Sequence, residues 1–132
     1  MRIVGLGVDI VEIARIDSAI QRQGQPFLDR LYTKAEQDYC RPQRHAARCY
    51  AARFAVKEAV AKAFGTGIGA QLGWLDVEVS RRATGEPFVI LHGTGAETAR
   101  KLGISQLLVS LSHSEHYAVA NAIAVAAPAA HA

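Results

Sequence analysis

The chain is poor in cysteine, with only Cys40 and Cys49 among its 132 residues. Two cysteines cannot build the multi-bridge framework of a small secreted domain, and they do not form a Cys/His pattern typical of a zinc site. Both lie in a part of the sequence that is typical of helices. We therefore interpret them as free thiols of a protein in a reducing cytoplasm.

Long hydrophobic runs are also missing from the sequence. No apolar stretch approaches the roughly 20 residues that a helix needs to span a bilayer, which argues against membrane insertion. The N-terminal segment MRIVGLGVDIVEIARI is interrupted by Asp9 and Glu12, and it has no small-residue cleavage site. We expect this segment to be part of the folded domain.

Aromatic residues make up only 7% of the chain, and the arginines are scattered rather than interleaved with them. This distribution argues against a nucleic-acid partner, which would need stacking side chains along a basic groove. The formal net charge of +3 is compatible with an acidic protein or a phosphate ligand as partner. With 50% hydrophobic and 20% charged residues, the composition is that of a single folded domain.

The beginning of the chain predicts one strand followed by helices. Residues 2 to 11 are rich in β-branched residues, and Gly5 and Gly7 mark places where another backbone or a ligand approaches closely. A helix is expected over residues 13 to 23. A second short element is expected to start at Pro26.

Two further helices are predicted in the middle of the chain. Thr33 and Glu36 match the S/T-x-x-E capping box, which predicts a helix that stops before Pro42. The longest helical pattern runs over residues 45 to 64, is rich in alanine, and ends at Gly65. The small side chains of this helix allow close packing against a neighbouring element.

The second half of the chain predicts two pairs of strands separated by a helix. The helix should begin at a capping box formed by Thr94 and Glu97 and end near Gly103. The strand patterns alternate or cluster apolar residues around short turns. The strands are expected at residues 74 to 80, 87 to 91, 106 to 113 and 117 to 127.

These elements predict an α+β fold with a single antiparallel sheet packed on the long helix. The last strand carries alanines on one face, at which a helix can pack closely. We assign residues 1 to 126 to this domain and interpret residues 127 to 132 as a flexible Ala/Pro tail, in which His131 has no role.

Glu58 and Lys62 are four residues apart on the long helix and therefore face the same way. Such a pair is commonly an exposed ion pair of little consequence. The alanine-rich surface around Glu58 favours burial instead, and a buried carboxylate needs a cation. Together with Asp9 at the end of the first strand, Glu58 predicts an oxygen-ligand site for Mg²⁺ bound jointly with substrate phosphates.

Two other motifs leave alternatives open. The segment FGTGIG, which begins at Phe64, resembles a phosphate-binding loop, but it follows a helix whose C-terminal dipole repels phosphate, so Gly65 is equally a simple helix cap. Ser112 and His113 are adjacent on a strand and point to opposite faces, which argues against a serine hydrolase. His113 either closes the strand as a half-buried side chain or contacts a ligand.

Arg15 and Arg22 are seven residues apart and lie on nearly one face of the first helix. This face is either simply solvated or a docking surface for an acidic helix of a partner protein. We keep the docking surface as a hypothesis.

Three segments of the sequence resemble those of holo-acyl-carrier-protein synthases, in the same order and at the same spacing. The segments are GLGVDIVEIARI, RFAVKEAVAKAFGTGIG and VSLSHSEHYAVANAI. The F-x-x-K-E-A-x-x-K motif from Phe54 to Lys62 and the G-x-D motif ending at Asp9 are similar to the signature of the 4′-phosphopantetheinyl transferase superfamily. The resemblance extends over nearly the whole chain, up to about Val125.

The resemblance implies transfer of the 4′-phosphopantetheine group from coenzyme A to a serine of acyl carrier protein, with release of 3′,5′-ADP. It makes Asp9, Glu58 and Lys62 catalytic, with Asp9 and Glu58 as ligands of Mg²⁺, or of Mn²⁺ as the alternative. Lys62 would contact a phosphate of coenzyme A. The proton acceptor for the serine hydroxyl would be either Glu58 or a metal-ordered water.

The resemblance also implies the rest of the coenzyme A site and the assembly. Gly65, Arg53 and His113 would line the site, and Arg44 would lie near the 3′-phosphate. Related proteins form trimers with sites between subunits, so His113 would serve a pocket of another copy. Larger relatives have an acid where this chain has Val11, and a water would fill that coordination position.

Two other classes of function are compatible with the residues alone. The chain could be a non-catalytic basic module that binds an acidic protein, with Glu58 and Lys62 as a surface pair. It could also be a metal-dependent phosphohydrolase, in which water replaces the serine of the carrier.

Overall fold

A computed structural model describes residues 1–128 of the chain, so residues 129–132 of the predicted tail, including His131, lie outside the described residues. The fold is α+β, as predicted. Its elements are β1 (Arg2–Glu12), α1 (Ile13–Gln23), α2 (Gln25–Leu31), α3 (Lys34–Cys40), α4 (Ala46–Phe64), β2 (Val77–Arg81), β3 (Pro87–Leu91), α5 (Gly93–Lys101), β4 (Ile104–His113) and β5 (Tyr117–Ala126).

The main sheet has three antiparallel strands in the order β1-β5-β4. Its inner face packs on α4, and the predicted alanine face of β5 lies there, with Ala118, Ala120, Ala122 and Ala124 all buried. Because these side chains end at Cβ, the helix can lie close to the strands. The alanine face is therefore used within the chain.

The prediction that another backbone approaches Gly5 and Gly7 is confirmed. A Cβ atom on Gly5 would overlap the carbonyl oxygen of Ala63, and one on Gly7 would overlap the carbonyl oxygen of Ala59. Both alanines belong to α4. The absence of two side chains thus brings β1 into direct backbone contact with the helix.

The expectation of a single sheet is corrected, because β2 and β3 form a separate two-stranded sheet. Side chains of a buried ion pair bind backbone groups of β2. The carboxylate of Glu36 accepts a hydrogen bond from Val79 N at 2.8 Å, and Lys57 Nζ donates to the carbonyl of Val77 and to Trp74 O. Lys57 also binds Glu36 at 2.9 Å, and both side chains are fully buried.

Helix boundaries follow the predictions in α3 and α4 but not at the start of α5. The capping box of Thr33 and Glu36 is present, with both reciprocal hydrogen bonds.

The capping box predicted for Thr94 is wrong, because α5 already begins at Gly93. Asp76, which lies in a single 3-10 turn before β2, instead accepts a hydrogen bond from Gly95 N in the first turn of α5. This turn also delays the strand predicted from residue 74 until Val77.

The prediction of two free thiols is wrong, because Cys40 and Cys49 form a disulfide. Cys40 ends α3 and Cys49 lies in the first turns of α4, with their Cα atoms 5.5 Å apart. The two helices are antiparallel neighbours across a short connection, and this places the sulfur atoms together. Sequence spacing alone does not reveal such a contact.

The outer face of the main sheet is apolar and uncovered. Four β1 residues, Ile3, Leu6, Val8 and Ile10, are each between 58% and 68% exposed, and Val119 of β5 lies opposite Ile10 in the sheet. An exposed apolar sheet face of this kind is typical of a protein interaction surface. Within the described part of the chain, no helix has the length and apolar character needed to cross a membrane.

Candidate active site

Two adjacent stripes of α4 face two different cavities. Phe54, Glu58 and Lys62 are spaced by four residues and line one cavity, which we call the carboxylate cavity. Cys49 and Arg53, also four residues apart, line the second, which we call the basic cavity. One helix therefore positions both sets of side chains.

The carboxylate cavity, about 360 Å³ in volume, lies between α4, the end of β1 and the start of α1. The structure brings the three predicted catalytic residues together in it: Asp9, Glu58 and Lys62. Lys62 Nζ donates to Asp9 Oδ1 at 3.2 Å and to Val8 O at 2.9 Å. These contacts depend on the close packing of β1 on α4.

The charges in this cavity favour the binding of a cation. Partial burial raises the pKa of Glu58, and the negative charge of Asp9 raises it further, while Lys62 lowers it. The two carboxylates thus repel one another, and the hydrogen bond of Lys62 goes to Asp9 rather than to Glu58. A divalent cation bound to both would relieve this repulsion.

The donor set fits Mg²⁺ bound together with a substrate. Among residues 1–128, no group of three or more His, Cys, Asp or Glu side chains is arranged to hold a metal ion. Asp9 and Glu58 alone supply two hard oxygen donors, so oxygens of phosphate or water would have to complete the octahedral coordination of Mg²⁺. Val11 lines the cavity but offers no ligand.

The two arginines proposed for docking occupy different environments. Arg15 lines the carboxylate cavity, beside Glu12 and Tyr117. Arg22 lies in the last turn of α1, where its Nε donates to Ser18 Oγ at 3.4 Å. The two side chains therefore extend from the mouth of the cavity along the exposed side of α1.

The basic cavity has a volume of about 220 Å³ and collects positive charge. The structure brings three of the predicted coenzyme A residues together here: Arg44, Arg53 and His113. Arg48 and Arg81 also line the cavity, and sequence reasoning missed them. Arg48 is only four residues after Arg44 in the sequence and lies in the first turn of α4, whereas Arg81 reaches the cavity from β2 and is placed there only by the fold.

Arg53 is the most buried cation of this cavity, with only 2% of its surface exposed. Its guanidinium stacks on Tyr39, 4.5 Å from the ring centre, and its Nη1 lies 3.2 Å from Cys49 Sγ. Among the described residues, 1–128, its Nε finds no hydrogen-bond partner. Burial lowers the pKa of Arg53, and the nearby charge of Arg81 lowers it further. An anion would satisfy such a group.

The surroundings of His113 favour its neutral form. Partial burial lowers its pKa, as do the charges of Arg48 and Arg81. A phosphate group in the basic cavity would reverse part of this effect, because a nearby anion stabilises the protonated imidazole.

The predicted coenzyme A residues do not form one site within a single chain. The carboxylate cavity contains Lys62, the basic cavity contains Arg44, Arg53 and His113, and the two cavities share no lining residue. Gly65 lines neither cavity and caps α4 in the left-handed conformation, with φ at 79°. Sequence reasoning also missed an aromatic pair beside the carboxylate cavity, in which Phe54 stacks on Trp74 at 5.1 Å.

Comparison with known proteins identifies close relatives over almost the whole chain. A family model described as the 4′-phosphopantetheinyl transferase superfamily matches residues 5–122. The holo-[acyl-carrier-protein] synthase of Desulforudis audaxviator is 52% identical over 123 residues, which cover 93% of this chain and 93% of the relative.

Solved structures of similar proteins share the fold. The holo-[acyl-carrier-protein] synthase of Neisseria meningitidis superposes with a TM-score of 0.89 at 31% identity, covering 94% of this chain and 99% of the other. That of Bacillus anthracis, solved in complex with coenzyme A (3′,5′-ADP), gives a TM-score of 0.80 at 32% identity. The match covers 95% of this chain and 98% of the other.

Proposed function

The chain belongs to the 4′-phosphopantetheinyl transferase superfamily and is an enzyme of the holo-[acyl-carrier-protein] synthase type, and from this premise we propose a metal-dependent mechanism for its reaction. The serine hydroxyl of an acyl carrier protein attacks the β-phosphorus of coenzyme A, and 3′,5′-ADP leaves. The observation that carries this proposal is the convergence of Asp9, Glu58 and Lys62 in one cavity.

The charged side chains of the carboxylate cavity have different roles in the proposed reaction. Lys62 is half exposed and hydrogen-bonded to Asp9, so its ammonium can reach a phosphate oxygen at the cavity mouth. There it would offset the charge that spreads over the pyrophosphate in the transition state. The proton acceptor for the serine hydroxyl would be either Glu58, which lies in the same cavity, or a water ordered beside it.

Asp9 and Glu58 would hold Mg²⁺, or alternatively Mn²⁺, through their carboxylate oxygens. The bound ion would supply Lewis-acid stabilisation of the pyrophosphate oxygens. The mutual repulsion of the two carboxylates supports this assignment.

We propose that coenzyme A lies across two chains, with its reacting phosphate at the carboxylate cavity of one and its 3′-phosphate at the basic cavity of a neighbour. The separation of the two cavities within one chain supports this arrangement, as does the unpartnered Nε of buried Arg53. His113 and Arg44 would then contact a nucleotide whose pantetheine arm reaches into the other chain.

The assembly that we propose is a homotrimer. The uncovered apolar face of β1 and β5 supports contacts between copies, since an exposed patch of this kind is stabilised by burial. The alanine face of β5 no longer supports the trimer, because it is buried against α4.

Acyl carrier protein is proposed to dock along α1, with Arg15 at the cavity mouth and Arg22 two turns away. The non-catalytic alternative is not retained, because the chain belongs to a family of enzymes and its acidic and basic groups converge in the carboxylate cavity.

We further propose that the enzyme serves fatty acid biosynthesis in the cytoplasm. This proposal rests on the substrates alone. Free thiols do not support it, because Cys40 and Cys49 form a disulfide.

The test is to incubate the protein with apo acyl carrier protein, coenzyme A and Mg²⁺ and to measure the mass of the carrier. We expect the carrier to gain the mass of one phosphopantetheine group. EDTA should prevent this gain, and excess Mg²⁺ or Mn²⁺ should restore it. A carrier with alanine in place of its reactive serine is the control. Cleavage of coenzyme A without any carrier would instead identify a phosphohydrolase, and no mass gain under any condition would contradict the proposal.

A further inference from the structure

The disulfide borders the basic cavity, and its two cysteine residues differ in exposure. Cys40 is completely buried, whereas Cys49 is half-buried and lines the cavity. Arg53 is the link between the bond and the cavity, because its Nη1 lies 3.2 Å from Cys49 Sγ. Tyr39, the residue before Cys40, forms the other wall around this guanidinium.

The charge available to a ligand therefore depends on the state of Cys49. In a disulfide the sulfur is neutral, and the buried guanidinium of Arg53 keeps its full positive charge for an anion. A cysteine beside an arginine is stabilised as the thiolate once the bond is opened. The thiolate of Cys49 would then pair with Arg53 and offset the most buried positive charge in the cavity.

We propose that Cys49 is a thiol-exchange site at which small cellular thiols and disulfides control the anion affinity of the basic cavity. The disulfide form binds the phosphorylated nucleotide tightly, and the dithiol form binds it weakly. This inference rests on the proposed function only in taking the nucleotide part of coenzyme A as the ligand of the cavity.

The exchange chemistry follows from accessibility. The thiolate of a small dithiol attacks Sγ of Cys49, the cysteine that lines the cavity. The bond between the two cysteines breaks, and Cys40 Sγ leaves with the electron pair and takes a proton. The second thiol of the reagent then releases Cys49 and becomes part of a disulfide. Two electrons and two protons thus pass from the dithiol to the protein, and a small disulfide such as oxidised glutathione drives the reverse reaction.

The experiment uses the full-length protein after treatment with dithiothreitol or with oxidised glutathione. Free thiols are counted by mass after alkylation, and the affinity for 3′,5′-ADP is measured by calorimetry in each state. We expect two thiols after reduction, none after oxidation, and a dissociation constant about tenfold higher for the reduced protein. Reoxidation should restore the original affinity.

Two alanine variants separate the charge of Cys49 from the covalent link. Cys40→Ala leaves a thiolate beside Arg53 and should bind 3′,5′-ADP as weakly as the reduced protein. Cys49→Ala also lacks the disulfide but has no thiolate, so it should bind as tightly as the oxidised protein. Circular dichroism of each variant checks that the helices are retained. If a variant does not fold, the comparison of reduced and oxidised wild-type protein still decides the proposal.

Several outcomes would overturn the inference. One is a protein that yields two thiols without treatment and cannot be oxidised. Another is an affinity that stays the same while the thiols change, and a third is an equal loss of affinity in both alanine variants. Transfer activity distinguishes these results from a failure of the proposed function. A protein with redox-dependent nucleotide affinity but no activity in either state would contradict the proposed function alone.

Discussion

Gly7 of β1 lies directly against the carbonyl oxygen of Ala59 in α4, with no room for a side chain between the two backbones. Asp9 is two residues further along the same face of the strand, and Glu58 precedes Ala59 in the helix. The contact therefore fixes the distance between the strand and the helix that supply the two carboxylates.

Gly7→Ala should prevent this contact and destabilise the fold by about 3 kcal/mol or more, since the obstructing atoms belong to the backbone and cannot move aside. Chemical denaturation measures the change in free energy of unfolding. Gly69→Ala is the matched control, because a Cβ atom there meets nothing within 4 Å and its φ is not positive. The control should change stability by less than about 0.5 kcal/mol. Equal stability of the two variants would contradict the close packing.

Asp9→Asn and Glu58→Gln should each reduce the rate of transfer at least about 100-fold, because each removes a hard oxygen ligand from a site with two. Without metal, Glu58→Gln should raise the melting temperature, because burial and repulsion by Asp9 raise the pKa of Glu58 and so disfavour its charged form in the folded protein. Carrier mass spectrometry measures the rate of transfer, and calorimetry measures the melting temperature. Exposed Glu97→Gln serves as the control. Near-normal Mg²⁺-dependent activity in either variant would refute the metal assignment.

Reversal of Arg15 and Arg22 to glutamate should raise the KM for acyl carrier protein about tenfold or more at low salt and should flatten its salt dependence. The KM for coenzyme A should change little with Arg22→Glu alone, because Arg22 lies outside both cavities. The double reversal of Arg100 and Lys101 on α5 adds the same charge elsewhere and is the control. Normal kinetics of the Arg15 and Arg22 double variant with the carrier at low salt would rule out α1 as the docking surface.

An inactive Glu58→Gln chain mixed with an inactive His113→Ala chain should regain activity if one site uses both residues from different chains. With random exchange in equal amounts, about a quarter of the sites would combine an intact Glu58 with an intact His113 of the neighbour. Exchange of subunits is verified by native mass spectrometry, and activity is measured before and after mixing. If exchange is complete and activity stays at background, each site belongs to one chain.

The affinity for 3′,5′-ADP should increase as the pH falls through the pKa of His113 in the complex. Burial and two arginines hold the pKa of free His113 below 6.5, and a bound phosphate raises it. Binding therefore takes up a proton, and lower pH favours the complex until the free protein is protonated as well. Calorimetry in buffers of different ionisation enthalpy measures the proton uptake. In His113→Gln, the proton uptake on binding should be smaller than in the unmodified protein, and an unchanged uptake would contradict the role of His113.

Local rules in the sequence were sufficient for most elements of the fold. The alanine-rich pattern over residues 45 to 64 and the capping box at Thr33 depend on neighbouring residues in the chain, so α3 and α4 were predicted correctly. The capping box at Thr94 failed because a distant group, Asp76, binds the first turn of α5. A tertiary contact of this kind overrides a local motif.

The sequence by itself also determined which residues meet in the carboxylate cavity, because the helical spacing of Glu58 and Lys62 and the motif at Asp9 carry that information. Tertiary structure decided what depends on contacts between distant segments: the Cys40–Cys49 disulfide, the buried pair of Glu36 and Lys57, and the placement of Arg81 beside Arg53. Tertiary structure also placed Lys62 and His113 in two different cavities. The physical reason is that periodicity gives the face on which a side chain lies, whereas the packing of whole elements sets what that face meets.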